Sequence, residues 1–494
     1  MRRLRDDFNE AGYVADKVLA AIGDQGQLGL IRNHTLAADR ALAGRDDGLA
    51  TLIRLFVLQQ WQPADQVVRV MAADALAELG LLIPDRDGFR AAVDVRPFSD
   101  ETDGLTGWVV SDHAAELDTR NVPPPPYHVL GVSPASISLG QITPVRPVAR
   151  AMDLGTGSGI QSLHLARHAG CVVATDVNPR ALTLAGLTFA LNDAEVTLRS
   201  GSLYEPVADE EFDIIVTNPP FVISPHIGPR LVYRETDHVS DGLMREVLTG
   251  ASPHLAPGGS LHVVGNWAHV AGTSWADRLA DWVPRGCDAF IVEREVLDVY
   301  EYTEVWLADA GLAGTPGYRD IYQQWLAYFD ALHIEAVGLG WITMVNSGSA
   351  SPRVVGEPWP YPVSQPVASD LMAHLDAMRY GDWTDARLLA TRWRLADGTR
   401  QETTGVPGEP EPDRVVLRRT DGLQRAVEVD AGLGGVLGAC DGQLALGQIL
   451  DAVASLLDAD AQAMREELLP KVRELIARTW LTPVGDSARS GATR

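Results

Sequence analysis

Asp153-Leu-Gly-Thr-Gly-Ser-Gly159 is the stretch that decides the fold. It runs into Ile160-Gln-Ser-Leu-His-Leu-Ala-Arg-His168, whose apolar residues recur at helical spacing, and Cys171-Val-Val-Ala-Thr-Asp176 beyond it reads as a short buried strand. Strand, glycine turn, helix and strand form a βαβ unit. In such a unit the glycines let backbone N–H groups and a helix N-terminus approach a polar ligand that any Cβ would exclude. The spacing excludes two common ligands. A dinucleotide fingerprint needs G-x-G-x-x-G, whereas Ile160 follows Gly159 here, and no Gly-Lys-Ser/Thr ending marks a phosphate loop.

Phe212-Asp-Ile-Ile-Val-Thr-Asn-Pro-Pro-Phe221 is the second informative segment. Its Asn218-Pro-Pro-Phe221 follows the apolar run Ile214 to Thr217 and so lies just past the carboxyl end of a buried strand, the edge at which open α/β sheets bind ligands. The nitrogen of an exocyclic amine or carboxamide is a poor nucleophile because its lone pair is delocalised. The Asn218 side-chain oxygen and the Pro219 carbonyl, aimed at its two hydrogens, favour pyramidalisation and stabilise the developing positive charge. Pro219 and Pro220 fix φ and stiffen the loop, and Phe221 offers a face for a planar substrate. In isolation the tetrapeptide would read as a proline turn capped by a packed aromatic. Its position after the strand favours the chemical reading.

Together the two segments resemble the class I S-adenosylmethionine-dependent methyltransferases. The Asn-Pro-Pro-Phe sequence resembles the amino-methyltransferases of the small-domain superfamily, over about residues 128 to 350. The resemblance implies an α/β fold with a seven-stranded, mostly parallel Rossmann-like sheet, and S-adenosyl-L-methionine as cofactor. It places Asp153 near the methionine end of the cofactor, over the loop of Gly155, Thr156, Gly157 and Gly159. Asp176, with two acceptor oxygens, takes the ribose hydroxyls, with Val177 beside it. Ser202 stands where an aspartate is commoner, so the adenine contact passes to the backbone around Leu203. Asn218 serves both cofactor and acceptor, and Pro219, Pro220 and Phe221 complete the catalytic set.

The acceptor stays open. Phenylalanine at the end of the motif resembles the ribosomal RNA guanine-N2 and adenine-N6 enzymes, and the segment Gly131-Val-Ser-Pro-Ala-Ser-Ile-Ser-Leu-Gly140 resembles the Gly-Val-Phe-Ser region before the glycine motif of the guanine-N2 enzymes, without its phenylalanine, which makes an RNA base amine the leading substrate. Tyr233-Arg-Glu-Thr-Asp-His-Val-Ser-Asp-Gly-Leu243 resembles the release-factor glutamine methyltransferases, which implies a translation-related protein as the alternative. A third reading is a cofactor-binding regulator without turnover, against which the intact Asn218 to Phe221 argues.

With 494 residues the chain is long enough for about three domains: 1–120, helical with a winged-helix-like end, 121–350, the methyltransferase domain, and 351–494, a helical, winged-helix-like accessory domain. Ala64 to Leu82 holds two short amphipathic segments, and Ile83 to Phe89 turns toward a strand over Ala91 to Val95. Asn121-Val-Pro-Pro-Pro-Pro-Tyr127 is a stiff linker. Tyr300 to Leu332 is an aromatic-rich helical insertion whose Tyr322, Trp325 and Tyr328 read as core, and Ala336 to Val345 is the closing strand. The net charge of −25 argues against a broadly basic nucleic-acid footprint. Arg387 to Arg425 is arginine-rich, but the acids interspersed there point to a solvated strand face. Cys171, on a buried strand, Cys287 and Cys440 lack metal spacing, and His226 and His238 have no paired ligands, so no metal site is expected. No run of 18 apolar residues is present, which indicates a cytoplasmic protein without a membrane partner. Ser487 to Arg494 reads as disordered. Oligomeric state is beyond the sequence.

Overall fold

The computed structural model describes residues 1–114, 117–119, 124–225, 227, 231–235, 237–407 and 412–485. His226, Ser487 to Arg494 and part of the proline linker lie outside them. The chain forms two compact units, Met1–Pro358 and Trp359–Arg494.

The first unit opens with α1 (Arg2–Ala11), α2 (Ala15–Ile31), α3 (Leu36–Ala41) and α4 (Gly48–Leu52), the last continuing into a π-helical turn, Ile53–Val57. Then follow β1 (Gln62–Pro63), α5 (Ala64–Val70), α6 (Ala73–Glu78), β2 (Leu82–Asp85) and β3 (Gly88–Ala91), the strands pairing antiparallel in the order β1-β3-β2. Helix, strand, two helices and a hairpin with that strand order is winged-helix connectivity. The hairpin lies earlier than expected. Asp94 and Val95 instead begin a second hairpin, β4 (Asp94–Asp100) and β5 (Leu105–Ser111), whose turn is closed by Asp100 and Asp103 accepting from the backbone N–H groups of Thr102 and Leu105.

The remainder of this unit comprises α7 (Pro134–Ile142), β6 (Val148–Leu154), α8 (Ile160–Ala166), β7 (Ala169–Asp176), α9 (Pro179–Asn192), β8 (Thr197–Ser200) and β9 (Phe212–Thr217). After these come α10 (Gly242–Gly250), β10 (Leu255–Val270), α11 (Trp275–Ala280), β11 (Gly286–Asp298), α12 (Val299–Asp309), α13 (Tyr318–Ala331), β12 (Ile334–Ser349) and β13 (Val354–Pro358). They build a mostly parallel sheet in the order β13-β11-β12-β10-β9-β6-β7-β8, with β12 antiparallel to both its neighbours. It has eight strands where seven were expected, because β13 adds to the edge of β11 in parallel.

Strands β6, β7 and β9 each carry four consecutive buried residues because both faces of the sheet are covered. Cys171 departs from expectation: burial on β7 starts at Val172, so the thiol is exposed at the strand's first turn. β10 pairs with β9 only as far as Val263 opposite Thr217, and its remaining residues extend past the carboxyl end of β9 while staying paired with β12. Against that projection α12 and α13 pack a core of Tyr302, Leu307, Trp325 and Phe329, with Tyr322 and Tyr328 half-buried beside it.

The second unit contains α14 (Ala368–Met378), α15 (Asp385–Ala390), β14 (Arg392–Leu395), β15 (Thr399–Thr404), β16 (Arg414–Arg419), β17 (Ala426–Val429), α16 (Ala431–Gly438), β18 (Asp441–Ala445), α17 (Leu446–Leu456), α18 (Ala461–Ala477) and β19 (Leu481–Pro483). Helix, strand, two helices and a strand recur from α16 to β19. The central place between β18 and β19, however, is filled by the upstream β14 and not by a second hairpin arm. Two arginines of the β15-β16-β17 meander are paired across strands, Arg418 with Glu402 at 2.9 Å and Arg414 with Glu428 at 2.7 Å, as on a solvated strand face.

In the first unit the free edge of β5 is closed by a helix. Trp108 donates its N–H to Asn192 Oδ1 at 2.9 Å and accepts from Asn192 Nδ2 at 2.7 Å, and Val110 N–H donates to Thr188 Oγ1 at 3.0 Å. Removing the amide leaves buried backbone groups unpaired, so Asn192→Ala should destabilise this unit by ~1–3 kcal/mol. Asn192→Asp, which keeps the acceptor and loses the donor, should fall between. Urea unfolding of the two variants checks the order.

Candidate functional site

The candidate site lies at the carboxyl edge of β6, β7 and β9. Past Leu154 the backbone turns through Gly155 and Gly157 at φ of 76° and 55°, the left-handed region that favours glycine. A Cβ on either would meet no atom within 4 Å, since both border an open cavity of about 380 Å³. Gly159, which caps α8, does not border it. A Cβ there would stand 2.6 Å from the Phe189 ring, so this glycine serves helix packing rather than a ligand.

Asp153 gathers the loop. Its buried Oδ2 accepts from Thr156 Oγ1 at 2.7 Å, Ser162 Oγ at 2.7 Å and Ser162 N–H at 3.0 Å. Burial pushes its carboxyl up to about 6 against those hydrogen bonds, and the nearby Asp176 adds to the rise. Asp176, ending β7, accepts from Gly157 N–H at 3.0 Å and Asn178 N–H at 2.8 Å, and burial raises it as well. Two largely buried acids beside one cavity favour a cationic ligand. Asn178 caps α9 through Arg180 N–H at 3.0 Å and ties Tyr127 to the site through the Tyr127 carbonyl at 3.1 Å.

Thr217 Oγ1 donates to the Leu154 carbonyl at 2.8 Å, pinning the end of β9 to that of β6. The next residue supplies the decisive atom: among the described residues Asn218 Oδ1 is buried without a hydrogen-bond partner. Asn218, Pro219 and Pro220 border the cavity, together with Asp153, Gly155, Thr156, Gly157, Asp176, Val177, Ser202 and Leu203. Phe221 departs from expectation. It is half-buried with its ring edge-on to Trp306 of α12 at 6.1 Å, off the cavity wall, because the helical insertion stands beside the loop.

Sequence reasoning missed several lining residues. Asn178 was findable, since Asn before Pro179 is a helix-cap signal. Leu130, Ser136 and Gln161 have no local signal. Tyr233 and His238 also border the cavity, and His238 is hydrogen-bonded to Glu246 at 2.6 Å. Among the described residues no group of three or more histidine, cysteine or acidic side chains could hold a metal ion. The residues present fit S-adenosylmethionine: a bare glycine turn, a carboxylate in Asp176 with the acceptor oxygens that hydroxyls need, acids suited to a sulfonium, and, among the described residues, an unpaired acceptor in Asn218.

This glycine turn lies on a mostly parallel sheet closed by an antiparallel β12, a Rossmann-like α/β arrangement. Residues 134–274 match the family model described as methyltransferase small domain. Residues 10–92 and 372–483 match two models, each described as a domain of unknown function. The chain is 34% identical to the release factor glutamine methyltransferase of Geobacter sulfurreducens, over 29% of this chain and 57% of that protein. It is 33% identical to the ribosomal RNA small subunit methyltransferase C of Idiomarina loihiensis, over 27% of this chain and 36% of the other. The chain thus spans about half the length, or less, of the curated relatives it matches. Among solved structures, the T. thermophilus 16S rRNA N2 G1207 methyltransferase in complex with AdoMet and guanosine aligns at 19% identity and a TM-score of 0.27, covering 45% of this chain and 58% of that one.

The Asp153 carboxyl gives the site a pH signature. Its folded value of about 6 lies above the ordinary 3.8, so the native state holds the proton more tightly. That contribution to stability is complete below about pH 3.8 and is lost as pH rises through about 6, a change of about 3 kcal/mol at 1.36 kcal/mol per pH unit. Asp153→Asn keeps an acceptor for Thr156 and Ser162 but removes the titration. Urea unfolding should therefore show the variant gaining stability relative to the native protein between pH 4.5 and pH 7.5.

Proposed function

We propose that this chain is an S-adenosylmethionine-dependent N-methyltransferase acting on a planar amino or amide nitrogen. The observation that carries the reading is the buried Asn218 Oδ1, without a hydrogen-bond partner among the described residues, in a residue that lines the same cavity as Asp153, Asp176 and the glycine turn. The cofactor, when bound, supplies the electrophilic sulfonium methyl. Asp153 and the Gly155-Thr-Gly157 turn would hold its amino-acid part, Asp176 its ribose hydroxyls, and Val177, Ser202 and Leu203 its base. Asn218 Oδ1 and the Pro219 carbonyl would accept the two hydrogens of the acceptor nitrogen, freeing its lone pair and offsetting the charge that develops there. Pro219 and Pro220 keep those acceptors pre-placed. No strong base is required, because the nitrogen sheds its proton after attack.

Two acceptors fit the clamp, the exocyclic amine of an RNA base and the glutamine amide of a translation-related protein. Among the described residues that border the cavity none is a lysine or arginine, while Glu235 and Asp237 join the two cofactor acids. A phosphate backbone is held by cations, so this lining favours the protein amide. An RNA acceptor would need its phosphate contacts elsewhere on the chain. A cytoplasmic setting suits either acceptor and the three free cysteines. Among the described residues no helix is long and apolar enough to cross a membrane.

Incubation with methyl-labelled cofactor and a cell extract, followed by protease or nuclease, identifies the acceptor. Label released by protease supports the amide and label released by nuclease the base. Absence of label from both favours a regulator without turnover. Asn218→Ala should lower the single-turnover rate ~10²–10³-fold with cofactor affinity nearly unchanged. Asp176→Ala should weaken cofactor binding by ~1.5–3 kcal/mol in calorimetry. An Asn218→Ala rate equal to the native one would remove the clamp from the chemistry.

A further inference from the structure

We infer that helix α12 is the support that positions the Asn218 loop, and that Tyr302 is its principal positioning residue. The catalytic consequence rests on the methyl-transfer reading, whereas the brace itself does not. Pro219 and Pro220 have no N–H, so the loop leaving β9 has no ladder hydrogen bonds to hold it. Its next backbone donors are tied to one helix. Ile223 N–H donates to the Tyr302 hydroxyl at 2.9 Å. Val222 N–H donates to the Arg234 carbonyl at 2.8 Å, and the Arg234 guanidinium in turn donates to the Trp306 carbonyl at 2.9 Å and Asp309 at 2.7 Å. Phe221, between the prolines and these donors, rests edge-on against Trp306.

The Tyr302 hydroxyl also accepts from Asn266 Nδ2 at 2.7 Å, on the part of β10 that extends past β9 and pairs with β12. Tyr302 and Ile223 are fully buried, and Asn266 nearly so, leaving water no access to replace a lost partner. The Asn218 loop is thus suspended between two fixed points, the Thr217–Leu154 bond at its start and the Tyr302 hydroxyl at its end. Without the hydroxyl, two buried donors lose their acceptor, and the loop can move by the fraction of an ångström that misdirects Asn218 Oδ1. Tyr302 does not border the cavity, so it acts through the loop and not on the reacting atoms.

The test is Tyr302→Phe in the full chain, which keeps the ring and its packing, with Asn266→Ala as a milder variant and Tyr322→Phe as a hydroxyl deletion elsewhere in the insertion. Hydrogen exchange should quicken about tenfold or more at Phe221 to Ile223, the scale of one lost hydrogen bond, and stay unchanged at Gly155 to Gly159. Cofactor affinity should stay within about twofold. The single-turnover rate should drop roughly 10- to 100-fold without a matching change in KM. Tyr322→Phe should match the native protein in all of these. Unchanged exchange at Ile223 would overturn the brace, and quickened exchange with a native transfer rate would overturn its positioning role. Should Tyr302→Phe not fold, Asn266→Ala decides by the same exchange and rate. If the native protein itself transfers no methyl group to any acceptor, the methyl-transfer reading fails, and exchange alone decides the brace.

Discussion

Asp153 is the constraint on which the rest of the site depends. A carboxylate held away from water accepts what donors the chain brings to it, and here those are Thr156 from the turn and Ser162 from the helix beyond. By drawing both to one oxygen it bends the backbone into the left-handed conformation that Gly155 and Gly157 permit. The turn then points its next N–H at Asp176, so the two strand ends are joined through a side chain and a loop. The same burial that makes the arrangement rigid keeps both acids short of solvent, which is why the cavity favours positive charge.

Much of this was legible before the fold was known. The glycine turn and the run into Asn218 are local, because a nucleotide-type cradle needs residues close in sequence. Where the fold departs, the reason is distance along the chain. Phe221 reads as a stacking platform if nothing stands beside the loop, but Trp306 does, and no periodicity near residue 221 reports it. The β4–β5 hairpin escaped because Pro97 breaks its strand pattern and because its partner on the open edge is a helix. Leu130, Ser136 and Gln161 reach the cavity from α7, α8 and the loop before them, which only tertiary packing can bring there. The eighth strand and the borrowed β14 are likewise pairings of sequence-distant segments.

The flanking modules show one connectivity met in two ways. In the first, a hairpin supplies its own central strand, so β1, β3 and β2 close locally. In the second, β18 and β19 leave a gap that β14 fills from the N-terminal side, and Trp393 on that strand becomes fully buried. The core around Trp393, Trp480 and Leu446 is accordingly assembled from segments at both ends of the unit.

The capped edge of β5 bears on the order in which the protein can fold as it is made. Trp108 finds its partner 84 residues later, at the last turn of α9. Until that helix has left the ribosome, the hairpin presents an open strand edge bearing Trp108, Val109 and Val110. The interval ends only when the glycine turn, α8 and β7 have also been synthesised, so capping of the N-terminal hairpin waits on the βαβ unit that carries the glycine turn. A nascent chain stalled between residues 111 and 192 would be a natural client for a chaperone that binds exposed strands.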